Sequence, residues 1–124
     1  MDAAETRGAA GAEAPANAAA TDLAHPAPDE LELAAVLHAL SDPVRLQIVQ
    51  TLAGEDDERA CGMFELRVSK STASHHFRVL REAGVIHQDI RGRQRMISLR
   101  RADLDARFPG LLASVLAAAP TPRS

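Results

Sequence analysis

Leucine, valine and isoleucine recur three and four residues apart over several stretches of the 124-residue chain, and that spacing lays out its helices. In DELELAAVLHAL, residues 29–40, the positions Leu31, Leu33, Val36, Leu37 and Leu40 predict a first amphipathic helix. Ser41-Asp42-Pro43 stops it and starts another. Ser41 or Asp42 can cap, and proline suits a first helical position because its missing N–H would have been unpaired anyway. The second helix, VRLQIVQTLAG, turns Val44, Ile48, Val49 and Leu52 inward and ends at Gly54. The acidic run EDDE that follows reads as a solvated loop, and CGMFELR predicts a short third helix ending at Val68.

A tight connection, Ser69 to Ser71, leads into SKSTASHHFRVLREAG. Ala73, Phe77, Leu80 and Ala83 repeat at i, i+4, i+7 and i+10 and define a buried face. Ser71, Ser74, His75, Arg78 and Glu82 share the opposite, exposed stripe. After Gly84 the period falls to two: VIHQDI and QRMISL predict strands joined through Arg91-Gly92-Arg93 as a hairpin. A last helical segment begins near Arg101, breaks at Phe108-Pro109-Gly110 and resumes as LLASVLAAA, since proline lacks an N–H and clashes with the preceding turn.

Residues 1–28 are rich in alanine and proline and poor in large apolar side chains, so they cannot bury enough surface to offset their ordering entropy. A disordered tail is expected there, a single domain over 29–118, and a flexible tail over 119–124. The fold class is α+β, mostly α, with about five helices and a two-stranded β-hairpin. No apolar run approaches the roughly 20 residues of a membrane span, and the N-terminus lacks a basic region followed by an apolar one, so a cytoplasmic chain with no membrane partner is expected. Cys61 is the only cysteine, which excludes an intrachain disulfide.

Charge changes the picture. The overall net charge of −3 would argue against an anionic partner, but it is unevenly spread. Residues 1–58 carry twelve acids against Arg7 and Arg45, a net of −10; residues 70–101 carry eight bases against Glu82 and Asp89, a net of +6. Such a reversal is what a basic binding face on an acidic body would look like.

Three motifs in this order, LSDPVR, SKSTASHHFRVLREAG and RGRQRMISL, resemble the ArsR-type (ArsR/SmtB) winged helix-turn-helix repressors over about residues 31–116. The resemblance implies a homodimer that binds double-stranded operator DNA and is released by an effector. It places Lys70, Ser71, Thr72, Ser74, His75 and Arg78 on the DNA-reading helix and Arg91, Arg93 and Arg95 on the wing. Hydroxyls, imidazole and guanidinium are the mixture that base edges and phosphates call for. The implied dimer joins the first and last helices through Leu33, Val36, Leu37 and Leu40 with Leu111, Leu112, Val115 and Leu116. Neighbours on a helix point about 100° apart, so His75 and His76 cannot act as a pair. His75 lies on the stripe, and His76 reads as a brace.

Many relatives sense metals, yet the usual ligand sets are not available. The region before the reading helix has Cys61 alone, and the last helix offers Asp103 and Asp105 without a histidine. No cofactor is firmly implied; a transition-metal effector, nickel or zinc, would need an unusual site drawn from His38, Cys61, His87 or His25, and Cys61 could equally be a redox or electrophile sensor, or simply a small apolar filler. Catalysis has no support, because no acid is placed to orient either neighbouring histidine and no phosphate loop is present. A protein-interaction module that lost DNA binding is the other alternative, and the concentration of arginine on the wing speaks against it.

Overall fold

The computed structural model describes residues 23–54 and 57–120. Among them the helical spacing becomes five α-helices: α1 Leu33–Leu40, α2 Pro43–Ala53, α3 Lys70–Ala83, α4 Arg101–Arg107 and α5 Leu111–Ala118. Three strands, β1 Glu58–Ala60, β2 Ile86–Arg91 and β3 Gln94–Leu99, form an antiparallel sheet in the order β1-β3-β2. The core gathers Val36, Ala39 and Leu40 of α1, Ile48, Val49 and Leu52 of α2, Phe77 and Leu80 of α3, Ile86 and Ile97 of the sheet, and Leu104 and Leu112 of the last helices.

The junction between α1 and α2 follows from its residue types. Ser41 closes α1, its hydroxyl donating to the His38 carbonyl at 2.6 Å. Asp42 caps α2 by accepting from the N–H groups of Val44 and Arg45 at 2.8 and 3.2 Å, with Pro43 at the first helical position. Gly84 ends α3 in the left-handed conformation, φ 86°, which glycine adopts without a Cβ penalty. A Cβ there would also run into the Leu31 side chain, so the same glycine makes room for a buried leucine.

Four expectations change. The first predicted helix is broken: Pro28–Glu30 form a 3-10 turn, Leu31 and Glu32 are extended, and only Leu33 onward is α-helical. The break sends Leu31 inward beside Gly84, where it is 1% exposed. CGMFELR does not form an α-helix; only Cys61–Met63 make a 3-10 turn. Gly62 favours such a break, at a helix cost of about 1 kcal/mol relative to alanine. Arg59 Nη1 also holds the Met63 carbonyl at 2.7 Å, and the Phe64 ring meets Phe77 edge-on at 5.3 Å. The hairpin gains a third strand, since Glu58, the last residue of the expected acidic loop, pairs with Ser98, Arg59 with Ile97 and Ala60 with Met96. Finally, of the tails expected over 1–28 and 119–124, residues 1–22 and 121–124 lie outside the described residues, while the described ends are held. His25 Nε2 accepts from the Gln88 N–H at 2.9 Å, the Pro26 carbonyl from Arg100 Nη1 at 2.8 Å, and the Pro120 carbonyl from Gln50 Nε2 at 2.5 Å.

The hairpin of β2 and β3 runs in register from Ile86 opposite Leu99 to Arg91 opposite Gln94, so its turn is two residues, Gly92-Arg93. Gly92 has φ 64°, as a tight hairpin turn requires at its first position. Arg93 is thereby carried to the tip of the wing.

Candidate nucleic-acid interface

Helix α3 is amphipathic in the manner its sequence predicts. His76, Phe77, Leu80 and Ala83 are buried, while Lys70, Ser71, Thr72, Ser74, His75 and Arg78 are exposed. Its N-terminus is capped by Ser69, whose hydroxyl oxygen accepts from the Thr72 N–H at 3.2 Å. Ser69 also lies 2.9 Å from the Thr72 hydroxyl and 3.3 Å from that of Ser71, so Thr72 is partly committed to the cap. Ser74, His75 and Arg78 carry no such commitment among the described residues.

The two histidines separate as their 100° offset requires. Their rings stand 5.7 Å apart and tilted, His75 outside and His76 buried at 8% exposure. His76 Nδ1 lies 3.1 Å from Arg45 Nη1. Arg45, at 7% exposure, donates through Nε to the Ala39 carbonyl at 2.8 Å and through Nη2 to the His38 carbonyl at 3.3 Å. Asp42 lies 4.0 Å from His76 Nε2. Burial pushes the Asp42 carboxyl up, but the Arg45 and Val44 N–H groups, with His76 and the Arg45 side chain nearby, bring it below its ordinary value. Sequence reasoning passed over Arg45, although a signal was present: it shares the inward spacing i, i+3, i+4, i+7 with Ile48, Val49 and Leu52.

The basic segment is less available than its count of eight suggests. Arg101 forms a bidentate pair with Asp57, Nε to Oδ2 at 2.8 Å and Nη2 to Oδ1 at 2.9 Å. The hydrogen-bonded guanidinium holds the Asp57 carboxyl below its usual range. Arg100 binds Asp103 at 3.0 Å and the Pro26 carbonyl, and Arg81 Nη1 donates to the buried Gln88 Oε1 at 3.0 Å. Arg91, expected on the wing, lies there and pairs with Glu58 at 2.7 Å and Asp89 at 3.2 Å, and the Glu58 hydrogen bond raises its pKa. Lys70, Arg78, Arg93 and Arg95 are exposed and make no ion pair among the described residues.

The metal candidates scatter. His25 and His87 stack with ring centroids 4.1 Å apart, but His25 Nε2 is taken by the Gln88 N–H. His38 is exposed on α1, in a shallow groove of about 280 Å³ with Ala35, Val79, Glu82 and Ala83. Cys61 is half-buried, and that burial pushes its thiol up, away from the thiolate that binds metals. Among the described residues no three His, Cys, Asp or Glu side chains are grouped to hold a metal ion.

The apolar residues predicted for a dimer interface also divide. Val36, Leu40 and Leu112 lie in the core, Leu111, Val115 and Leu116 are half-buried, and Leu33 and Leu37 remain 48% and 44% exposed. No helix among the described residues is long and apolar enough to cross a membrane.

A buried-backed polar helix followed by a small basic hairpin defines a winged helix-turn-helix DNA-binding protein. The profile of the bacterial regulatory protein, arsR family, matches residues 42–88. Over 86 residues, 68% of this chain and 86% of the relative, the sequence is 37% identical to YceK of Bacillus subtilis (strain 168), described as an uncharacterized HTH-type transcriptional regulator. The crystal structure of an ArsR family transcriptional regulator superposes with a TM-score of 0.54 at 19% identity, covering 79% of this chain and all of that one, and shares its fold. The chain belongs to the arsR family of bacterial regulatory proteins. It is a DNA-binding transcriptional regulator, and the family is one of regulators rather than enzymes.

Proposed function

We propose that the protein is a homodimeric repressor that reads operator DNA with the exposed stripe of α3 and lets go when an effector binds. The observation that carries the reading is that Ser74, His75 and Arg78 share one exposed helix face free of intramolecular ion pairs among the described residues. Such a face can enter a major groove, with Arg78 reaching guanine or phosphate. Lys70 and Ser71, at the helix start, are placed to meet a phosphate. Arg93 and Arg95 extend the basic surface along the wing to the flanking backbone. Exposed Leu33 and Leu37 on α1, with half-buried Leu111, Val115 and Leu116 on α5, support a dimer built on those helices.

Fluorescence anisotropy on the protein's own upstream DNA across a salt series tests the reading. Six phosphates neutralised by a dimer give a log–log slope of about −5. Equal affinity for a random duplex would overturn operator recognition, and a monomer in sedimentation at micromolar concentration would overturn the dimer. The inducer is sought by operator release against metal ions, thiol oxidants and small organic ligands, an assay that separates those classes directly.

A further inference from the structure

We infer that the buried Arg45–His76 contact sets the rotation and depth of α3 on operator DNA, so that His76 is a positioning residue for operator recognition without touching DNA. The inference rests on α3 being the reading helix. One planar guanidinium spans three helices: it grows from α2, holds the last carbonyls of α1 through Nε and Nη2, and meets the middle of α3 through Nη1. Arginine always donates, so Nδ1 of His76 must present its lone pair. The rigid fork leaves little freedom in that geometry.

Apolar burial holds a helix against a core without a directional preference of its own, so its rotation is set by how the side chains interdigitate and by any directional contact. A buried hydrogen bond restrains it strongly, since an unpaired partner is costly. His76 lies between His75 and Arg78 on α3, so a rotation at His76 swings both stripe residues. Recognition surfaces tolerate errors of only about 0.5 Å and 10–20°. The same guanidinium ties α3 to the end of α1, whose outer face carries Leu33 and Leu37. The pose of the reading helix is therefore set from the helix that carries this exposed apolar face.

The test uses the full chain and three variants. In His76→Asn the amide oxygen takes the place of Nδ1 and can accept from Arg45; in His76→Leu it is lost. The pair Arg45→Met with His76→Leu removes both sides of the contact, so that neither leaves the other unpaired should His76→Leu alone unfold; the Ala39 and His38 carbonyls also lose the arginine's N–H groups, and the thermal midpoint reads the cost of that. Operator and random-duplex affinities are measured by anisotropy beside the thermal midpoint. The leucine variants are expected to lose about fivefold in operator affinity, the low end of losing one base-reading contact, with random-duplex binding unchanged. His76→Asn should stay near wild type. A folded double variant that discriminates operator as well as wild type overturns the inference, as does an asparagine variant as poor as the leucine ones. Arg78→Ala is the control: if it too leaves operator affinity untouched, the reading of α3 fails along with the inference. Sensitivity to Arg78 without sensitivity to His76 overturns the inference alone.

Discussion

The cations between Lys70 and Arg101 form two sets that differ in what holds them. Arg81, Arg91, Arg100 and Arg101 are engaged within the chain, with Gln88, Glu58 and Asp89, Asp103 and the Pro26 carbonyl, and Asp57. Lys70, Arg78, Arg93 and Arg95 stand exposed on the start and face of α3 and on the wing. The first set spends its charge closing the fold around the sheet. The second leaves its charge for a partner. A net of +6 over residues 70–101 therefore overstates the field that DNA would feel, and the position of each cation matters more than the sum.

The sharpest break in the comparison should come at Arg78. Replacing it with alanine is expected to cost about 1–3 kcal/mol of operator binding, with relaxed discrimination between operator and random duplex and an unmoved thermal midpoint. Loss of stability instead would place Arg78 in the structural set. Arg101→Ala should do the reverse. It leaves Asp57, which sits at φ 62°, without its guanidinium, and a half-exposed bidentate pair is worth about 1 kcal/mol after solvent screening. Thermal unfolding should register that loss while the operator affinity of the folded protein holds. Because the Asp57 carboxyl is depressed in the folded state, its contribution is complete above the ordinary carboxyl value of about 4 and is lost as pH falls through the lower folded value. Arg101→Ala should accordingly flatten the acid limb of the stability curve.

This division was invisible to periodicity for a physical reason. What repeats along the chain was legible: the inward faces of α2 and α3, the Asp42 cap, the break at Pro109 and the hairpin all follow from neighbours within four residues. The partners that occupy the arginines are remote, Asp57 being 44 positions from Arg101 and Glu58 being 33 from Arg91. The three residues of β1 have no period to detect and exist because β3 offers an edge to pair with. CGMFELR has helical spacing but is drawn out by Arg59 and Phe77. Of α3, the outward stripe was legible; that Arg45 meets its buried side at His76 required the fold.

On the wing the two sets sit two residues apart, which makes the finest test. Arg93→Ala should weaken all duplexes alike and reduce the magnitude of the salt slope by about 1 for each phosphate contact removed. Arg91→Ala should leave the slope nearly unchanged, because Glu58 and Asp89 already neutralise that guanidinium. Equal slopes for the two variants would erase the distinction on the wing.

The smallest effect concerns the engaged arginines and the N-terminal segment they face. His25 accepts from the Gln88 N–H while His87, Arg81 and Arg100 surround it, and burial, followed by those positive or ionisable neighbours, lowers its pKa. A histidine depressed in the folded state stabilises fully above its ordinary value of about 6.5 and loses that contribution as pH falls from there toward the lower folded value. Protonation would turn the acceptor toward an N–H and add a cation beside two arginines. The Gln88 amide proton resonance, followed by NMR from about pH 8 to 5, a range that brackets the ordinary histidine value, should therefore lose its hydrogen-bonded shift at the acid end. In His25→Gln, whose amide oxygen can accept without titrating, that pH dependence should vanish. If it persists, protonation of His25 does not control the Gln88 contact.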